Sequence, residues 1–284
     1  MKKQTINEAM EQKAEKRKRN KKRIKRLVFW IKSISILALS VAAIVFTGLS
    51  PLFDLKKTEV KGAVHYKPET LTSYAAIQMG ENGFREIGSN PLNILLFRFG
   101  AAETSIMENC PYVKKVRVRF AIPSKVVIDV TERQAIAAVP YLGTSLLIDR
   151  EGFVLENLAG GDKTELLSIQ GLEFTDYELG HKLDMKNGNS LVNGIKLMDT
   201  LKESDKLDKS KLFDAVDSLD VSDGHNLKIR LDKRVTVNFG ALEDLNYRIS
   251  MAKTIFNKNI KKGEKGTLDF TTGDNPVFSP EGGG

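Results

Sequence analysis

The stretch that most limits what this chain can fold into is "LVFWIKSISILALSVAAIVFTGL", Leu27 to Leu49. Apart from Lys32 and a few small hydroxyls it is apolar. As a helix its 23 residues reach about 34 Å at roughly 1.5 Å per residue, and a bilayer core is ~30 Å thick. A buried core helix is the competing reading. An uncharged run of 17 residues (33–49) beside a dense basic block argues for a span instead. Trp30 suits the membrane interface, and Lys32 lies close enough to one end to reach the headgroups, so both are expected to act in the anchor. Pro51 stops the helix.

The net charge of +8 invites a nucleic-acid reading, but its distribution argues against one. Residues 1–26 carry twelve Lys or Arg and three Glu, leaving 32 basic and 33 acidic side chains in the other 258 residues. The part beyond the apolar run is therefore close to neutral, and phosphate binding needs a positive surplus. A basic head beside a span predicts a cytoplasmic tail over 1–26, a transmembrane helix over 27–49, and the remainder on the other side. A cleaved signal peptide is the rival. Its positive region would be unusually long, and no small-x-small pair follows the apolar core cleanly.

Beyond the span, "LKKTEVK" reads as a strand with Gly62 in its turn, Pro68 opens a helix, and "AAETSIMEN" (101–109) forms a second. Gly80 to Pro91 reads as a loop. In "VKKVRVRFAIPSKVVIDVTER" (113–133), Val116, Val118 and Phe120 alternate with Lys115, Arg117 and Arg119. Pro123 belongs in a turn, and Val126, Ile128 and Val130 make the apolar face of the return strand. The result is a β-hairpin with a polar face of Lys115, Arg117 and Arg119, which Asp129 and Glu132 can pair. Past Gln134 come short apolar runs, a helix over 189–204, three successive strands, an amphipathic helix with Leu242, Leu245, Ile249, Ala252 and Phe256 on one side, and the strand "GTLDFTT". "GDNPVFSPEGGG" reads as a loose tail.

Signs of chemistry are few. His65, His181 and His225 have no metal-ligand spacing, and no phosphate-cradling glycine motif occurs. Ser250 and Lys253 fit SxxK without the SDN and KTG partners that motif needs, with Lys253 expected on the polar side of its helix. Cys110, the one cysteine, reads as a small buried hydrophobe. No catalytic, cofactor or metal residue is expected.

The order basic head, single span, strand-helix-helix-hairpin, β-rich part resembles the FtsQ/DivIB cell-division family. "LKKTEVKG" is similar to the first strand of that family's POTRA domain, and 113–133 to its closing hairpin with Glu132-Arg133. "LLIDREGFVLE" resembles its L-I-D-x-x-G-x-V step. Ala63 and Ala135 stand where the family often has asparagine and proline. The resemblance implies an α+β fold: a transmembrane helix, a POTRA domain (β-α-α-β-β) over 53–133, a β domain with a mixed or antiparallel sheet and a few helices over 134–272, and a flexible tail over 273–284. It implies a non-enzymatic divisome scaffold at the septum that needs no cofactor and no nucleic acid. That scaffold binds bitopic proteins of the FtsB/DivIC and FtsL types and, through them, influences the septal peptidoglycan synthase. A membrane-anchored cell-wall enzyme and a transport-associated POTRA module are the alternatives. As the last strand, without lysine or proline to blunt it, Thr267, Leu268, Asp269, Phe270 and Thr271 are expected to form an open edge. The family resemblance points to the same strand as the place where a partner adds its own.

Overall fold

The computed structural model describes residues 2–160, 164–207, 210–273 and 275–281, with side chains from Lys21 onward. Helix α1 (Lys2–Gly48) includes the basic head as well as the apolar run. Lys, Arg, Glu, Gln and Ala are strong helix formers, so the head continues the helix of the span instead of breaking from it. Its segment from Lys21 to Gly48 is long and apolar enough to cross a membrane, and none of that window is buried against the rest of the protein.

After α1 come β1 (Lys57–Lys61), α2 (Pro68–Ala75), α3 (Gly83–Glu86), α4 (Pro91–Leu96), α5 (Gly100–Asn109), β2 (Val113–Ala121) and β3 (Lys125–Glu132). The three strands form a sheet in the order β1-β3-β2. The expected β-α-α-β-β order is present, with α3 added inside the expected loop of Gly80 to Pro91 and α4 beginning at the end of that loop. Val116, Val118 and Phe120 are buried while Lys115, Arg117 and Arg119 are exposed, as the alternation requires.

The following elements are β4 (Ala137–Tyr141), β5 (Thr144–Ile148), β6 (Val154–Leu158), β7 (Leu167–Gln170), α6 (Gly188–Leu207), β8 (Val216–Asp220), β9 (Leu227–Leu231), β10 (Val235–Gly240), α7 (Leu245–Lys258), β11 (Gly266–Asp269) and β12 (Val277–Pro280). They build a nine-stranded sheet in the order β12-β11-β10-β9-β8-β7-β4-β5-β6. The sheet is mixed: β4–β7, β7–β8 and β10–β11 run parallel and the other neighbours antiparallel.

By compactness the chain divides into two units. One comprises Met1–Glu59, Ile77–Gly100 and Val118–Val127; the other comprises Val60–Ala76, Ala101–Arg117 and Ile128–Gly284. In the first, Asn82 is buried at the foot of α1. Its Nδ2 donates to the carbonyls of Gly48 (3.0 Å) and Ser50 (3.2 Å), and its Oδ1 caps α3 by accepting from the Phe84 N–H. The Phe84 ring meets Phe53 and Phe120 edge-on at 5.1 Å each. Residues 97–99 run along the outer side of β2, with the Phe99 N–H on the Val118 carbonyl and the Phe120 N–H on the Phe97 carbonyl.

In the second unit, one apolar core joins the sheet to the stripes of α6 and α7, among them Leu197, Leu201, Ile249, Ala252 and Phe256. One member of the α7 stripe corrects the sequence reading. Lys253 is 2% exposed, inside the protein rather than on the polar side of its helix. Its Nζ donates to the Ser204 carbonyl at 2.7 Å and pairs with Asp205 at 2.9 Å, while Ser250 is exposed. Asp205 also accepts the N–H groups of Leu212 and Phe213, so a single carboxylate ties together the end of α6, the middle of α7 and the approach to β8.

Burial pushes the Asp205 carboxyl up, but the bonds from Phe213, Lys253 and Leu212 outweigh it and hold the group below its ordinary range. A carboxyl depressed in the folded state adds stability above its unfolded pKa of about 3.9, and that stability is lost as pH falls through the lower folded value. Unfolding of the detergent-solubilised chain by denaturant should therefore show an acid limb below about pH 4. Asp205→Asn should flatten that limb. It should also cost about 3–5 kcal/mol at neutral pH, because it leaves the Lys253 charge buried without its counter-ion.

Candidate partner-binding site

The expected site was the strand "GTLDFTT", and the structure moves the border of the sheet one strand outward. β11 pairs with β10 on one side (Val237↔Leu268, Asn238↔Asp269) and with β12 on the other (Thr267↔Ser279, Asp269↔Val277). Leu268 and Phe270 are buried, and Phe270 stacks on Phe239 at 5.8 Å, so both belong to the core and neither is a docking face. Thr267 and Thr271 are exposed and Asp269 is half-buried. Asp269 closes the strand by accepting from the Thr271 N–H and hydroxyl, each at 2.6 Å. Burial pushes its carboxyl up, but those bonds and one from Asn238 hold it below the ordinary range. The segment read as a loose tail thus contains β12. "PVFSP" reads as a tail because of its two prolines, yet a proline is tolerated in an edge strand where its missing N–H faces away from the partner.

The pairing gives β12 a defined outer side. The Glu281 N–H donates to the Lys265 carbonyl at 2.9 Å, so that residue bonds inward. Antiparallel residues alternate, which makes Ser279 and Val277 bond inward and turns the main chain of Phe278 and Pro280 outward. Pro280 has no N–H. The border therefore presents one donor, on Phe278, and two carbonyls, with Val277 about half exposed beside them. Gly266 allows the close fit: a Cβ there would lie 2.4 Å from the Ser279 carbonyl oxygen.

Two other borders, β6 and β2, are treated differently. β6, at the far end of the sheet, is covered by residues 180–183, with the Val154 N–H on the His181 carbonyl and the Gly180 N–H on the Val154 carbonyl. β2 is covered along 118–120 by residues 97–99. Among the described residues nothing pairs with the outer side of β12.

A cluster around Glu132 and Arg133 holds β3 to the segments on either side of it. The Glu132 carboxylate accepts the N–H groups of Val64 (2.9 Å), His65 (2.6 Å) and Tyr66 (3.1 Å). This corrects the expectation that Glu132 pairs with the basic face of the hairpin. The loop reaches it because Gly62 has φ 79°, and a Cβ there would lie 2.2 Å from the Val130 carbonyl oxygen. His65 stacks on Tyr112 at 3.6 Å, and the Tyr112 hydroxyl donates to Glu156 at 2.8 Å. Arg133 runs the other way. Its guanidinium pairs with Asp149 at 2.6 Å, both side chains being 7% exposed, and lies 3.4 Å from the centre of the Phe153 ring. Asp149 Oδ1 accepts the Glu151 and Phe153 N–H groups, and Gly152 turns the chain at φ 85°. Nearby, Cys110 is fully buried and burial pushes its thiol up to about 11, so it stays protonated.

Among the described residues, an apolar helix long enough to span a bilayer, a three-stranded POTRA-like sheet and a mixed sheet with an uncovered border at β12 define the class: a single candidate span followed by two sheets. Among the described residues no three His, Cys, Asp or Glu side chains gather to hold a metal. The model for the POTRA domain of FtsQ type matches residues 53–133. Over 263 residues the chain is 26% identical to the cell division protein DivIB of Clostridium botulinum (strain Hall), covering 92% of this chain and 93% of that one. The DivIB of Clostridium tetani is 25% identical over 80% of this chain and 79% of its own. The cell division protein FtsQ of Corynebacterium glutamicum is 30% identical over 102 residues, 36% of this chain and 40% of that protein. The POTRA match and the likeness to DivIB over most of the chain support the FtsQ/DivIB family of cell-division proteins.

Arg133→Ala should leave Asp149 buried without its counter-charge and cost about 3–5 kcal/mol in the full chain, read by denaturant unfolding. Arg133→Lys should recover only part of this, since a lysine keeps the charge but not the planar stack on Phe153.

Proposed function

We propose that this protein is a non-enzymatic scaffold of the division machinery. On this reading α1 anchors it in the cytoplasmic membrane with the basic head inside, Trp30 and Lys32 lie near the cytoplasmic interface, and residues 50–284 lie outside at the septum. The POTRA domain occupies 53–133 and the β domain 134–272. The partners are bitopic division proteins of the FtsB/DivIC and FtsL types, and through them the protein influences septal peptidoglycan synthesis. The observation that carries the partner site is the border at β12, the one end of the large sheet that no described segment covers. A partner strand laid there can donate to the Phe278 and Pro280 carbonyls and accept from the Phe278 N–H. Thr267 to Thr271 support this border from one strand behind. The exposed face of Lys115, Arg117 and Arg119 is a second polar surface open to contact.

Two experiments test the reading. Full-length protein lacking residues 274–284 should fail to capture the two small bitopic partners from solubilised membranes while its melting transition persists. Asp269→Pro, which removes the donor that pairs β11 with Val277, should act in the same direction. Undiminished capture by both variants would remove the border from the site, and increased capture on deletion would mean that the partner replaces β12 instead of joining it. Separately, protease added to intact spheroplasts should digest 50–284 and spare the head. Protection of the large segment would reverse the orientation.

A further inference from the structure

Helix α4, "PLNILL", lies outside both the proposed border and the Arg133 cluster. It carries no charge, and its side chains are poorly covered: Leu95 is 73% exposed, Leu92 67%, Leu96 52% and Ile94 49%, with Leu52 nearby in sequence to α1 at 60%. Leucines clustered so densely on a free surface mark a contact.

Their position says with what. Ile94, Phe53 and Phe84 line one side of a cleft whose other side is α1 from Ala43 to Leu49. Those residues are the last two turns of the apolar helix, so α4 lies alongside it within about 10 Å of its end at roughly 1.5 Å per residue. Interfacial helices bury their apolar side about 5–10 Å into the boundary of headgroups and acyl chains. The cleft itself, about 670 Å³, suits lipid better than water. Water needs several polar partners, and the one hydroxyl in the wall, on Thr47, already donates to the Ala43 carbonyl at 2.8 Å. Asn82 fixes the arrangement through its bonds to the Gly48 and Ser50 carbonyls.

We propose that α4 and Leu52 enter the membrane leaflet at the C-terminal end of α1, as a second, shallow anchor whose apolar cleft is filled by phospholipid acyl chains. The inference rests on α1 being a span, and its test separates the two. Full-length protein with Cys110→Ala would carry a single new cysteine, Leu39→Cys in the span or Leu95→Cys in α4, labelled with a polarity-sensitive fluorophore. It would be placed in phosphatidylcholine–phosphatidylglycerol nanodiscs, where both faces are open to solute. The expected result is quenching of both labels by phospholipid bearing an acyl-chain nitroxide, with iodide quenching of the Leu95→Cys label lost relative to free dye. If the label in the span is quenched by lipid while that in α4 is quenched by iodide alone, the proposal falls and the span stands. A label in α4 shielded from both quenchers would mean that protein, such as a second copy, covers the helix, which also overturns it. A span label that lipid fails to quench would remove both readings.

Discussion

The buried pair between Arg133 and Asp149 fixes the second unit at the point where the small sheet ends and the large one begins. Taking two such charges out of water costs several kcal/mol per ion, and the cost is offset only when geometry and hydrogen bonding are nearly complete. Here they are. One oxygen of Asp149 accepts two backbone N–H groups, the other meets the guanidinium, and Arg133 lies flat over Phe153 with Glu151 as a further acceptor. The adjacent Glu132 makes three backbone bonds of its own to residues 64–66. Neighbouring residues at the end of a strand point to opposite sides, so a Glu-Arg dipeptide clamps two different loops. That geometry accounts for the Glu-Arg pair and the Ile-Asp-x-x-Gly step together: the Asp is the counter-ion of the Arg, and Gly152 makes the turn that brings it there.

Much of this was legible because it depends on local period. Alternation at 2 placed Val116, Val118 and Phe120 inside and Lys115, Arg117 and Arg119 outside, and a 3.6 period placed Leu245, Ile249, Ala252 and Phe256 on one stripe of α7. Three features were not legible, each for a physical reason. Lys253 falls on the buried stripe of α7, and only the tertiary placement of Asp205 makes a lysine acceptable there. β12 has one proline just before it and another as its last residue, which argue against a strand until its pairing parity is known. α4 lies in a segment rich in Gly, Asn and Pro, where Asn90 and Pro91 start a helix too short to show a period.

The way the sheet borders are finished bears on function. An exposed row of unpaired backbone groups invites indiscriminate pairing, and proteins cover or blunt such rows. This chain covers β6 and part of β2 with its own backbone. At β12 it blunts without covering, since the proline at 280 removes a donor and leaves an uneven pattern of one N–H and two carbonyls. A strand that matches that pattern gains all three bonds. A strand in the wrong register leaves a polar group unpaired, which costs more than a formed bond returns.

Three main-chain bonds are worth only about 0.5–1.5 kcal/mol each in net terms, too little for tight association between proteins free in solution. The long apolar helix changes that arithmetic. On the proposed reading, a partner anchored in the same membrane is confined to the same thin layer as this chain, so that docking resembles an intramolecular step with a high effective concentration. A short and selective border is then enough, provided the anchor is present. On that reading a longer, unblunted edge would add affinity that confinement already supplies, and would leave open to indiscriminate pairing the strand that the proline at 280 now guards.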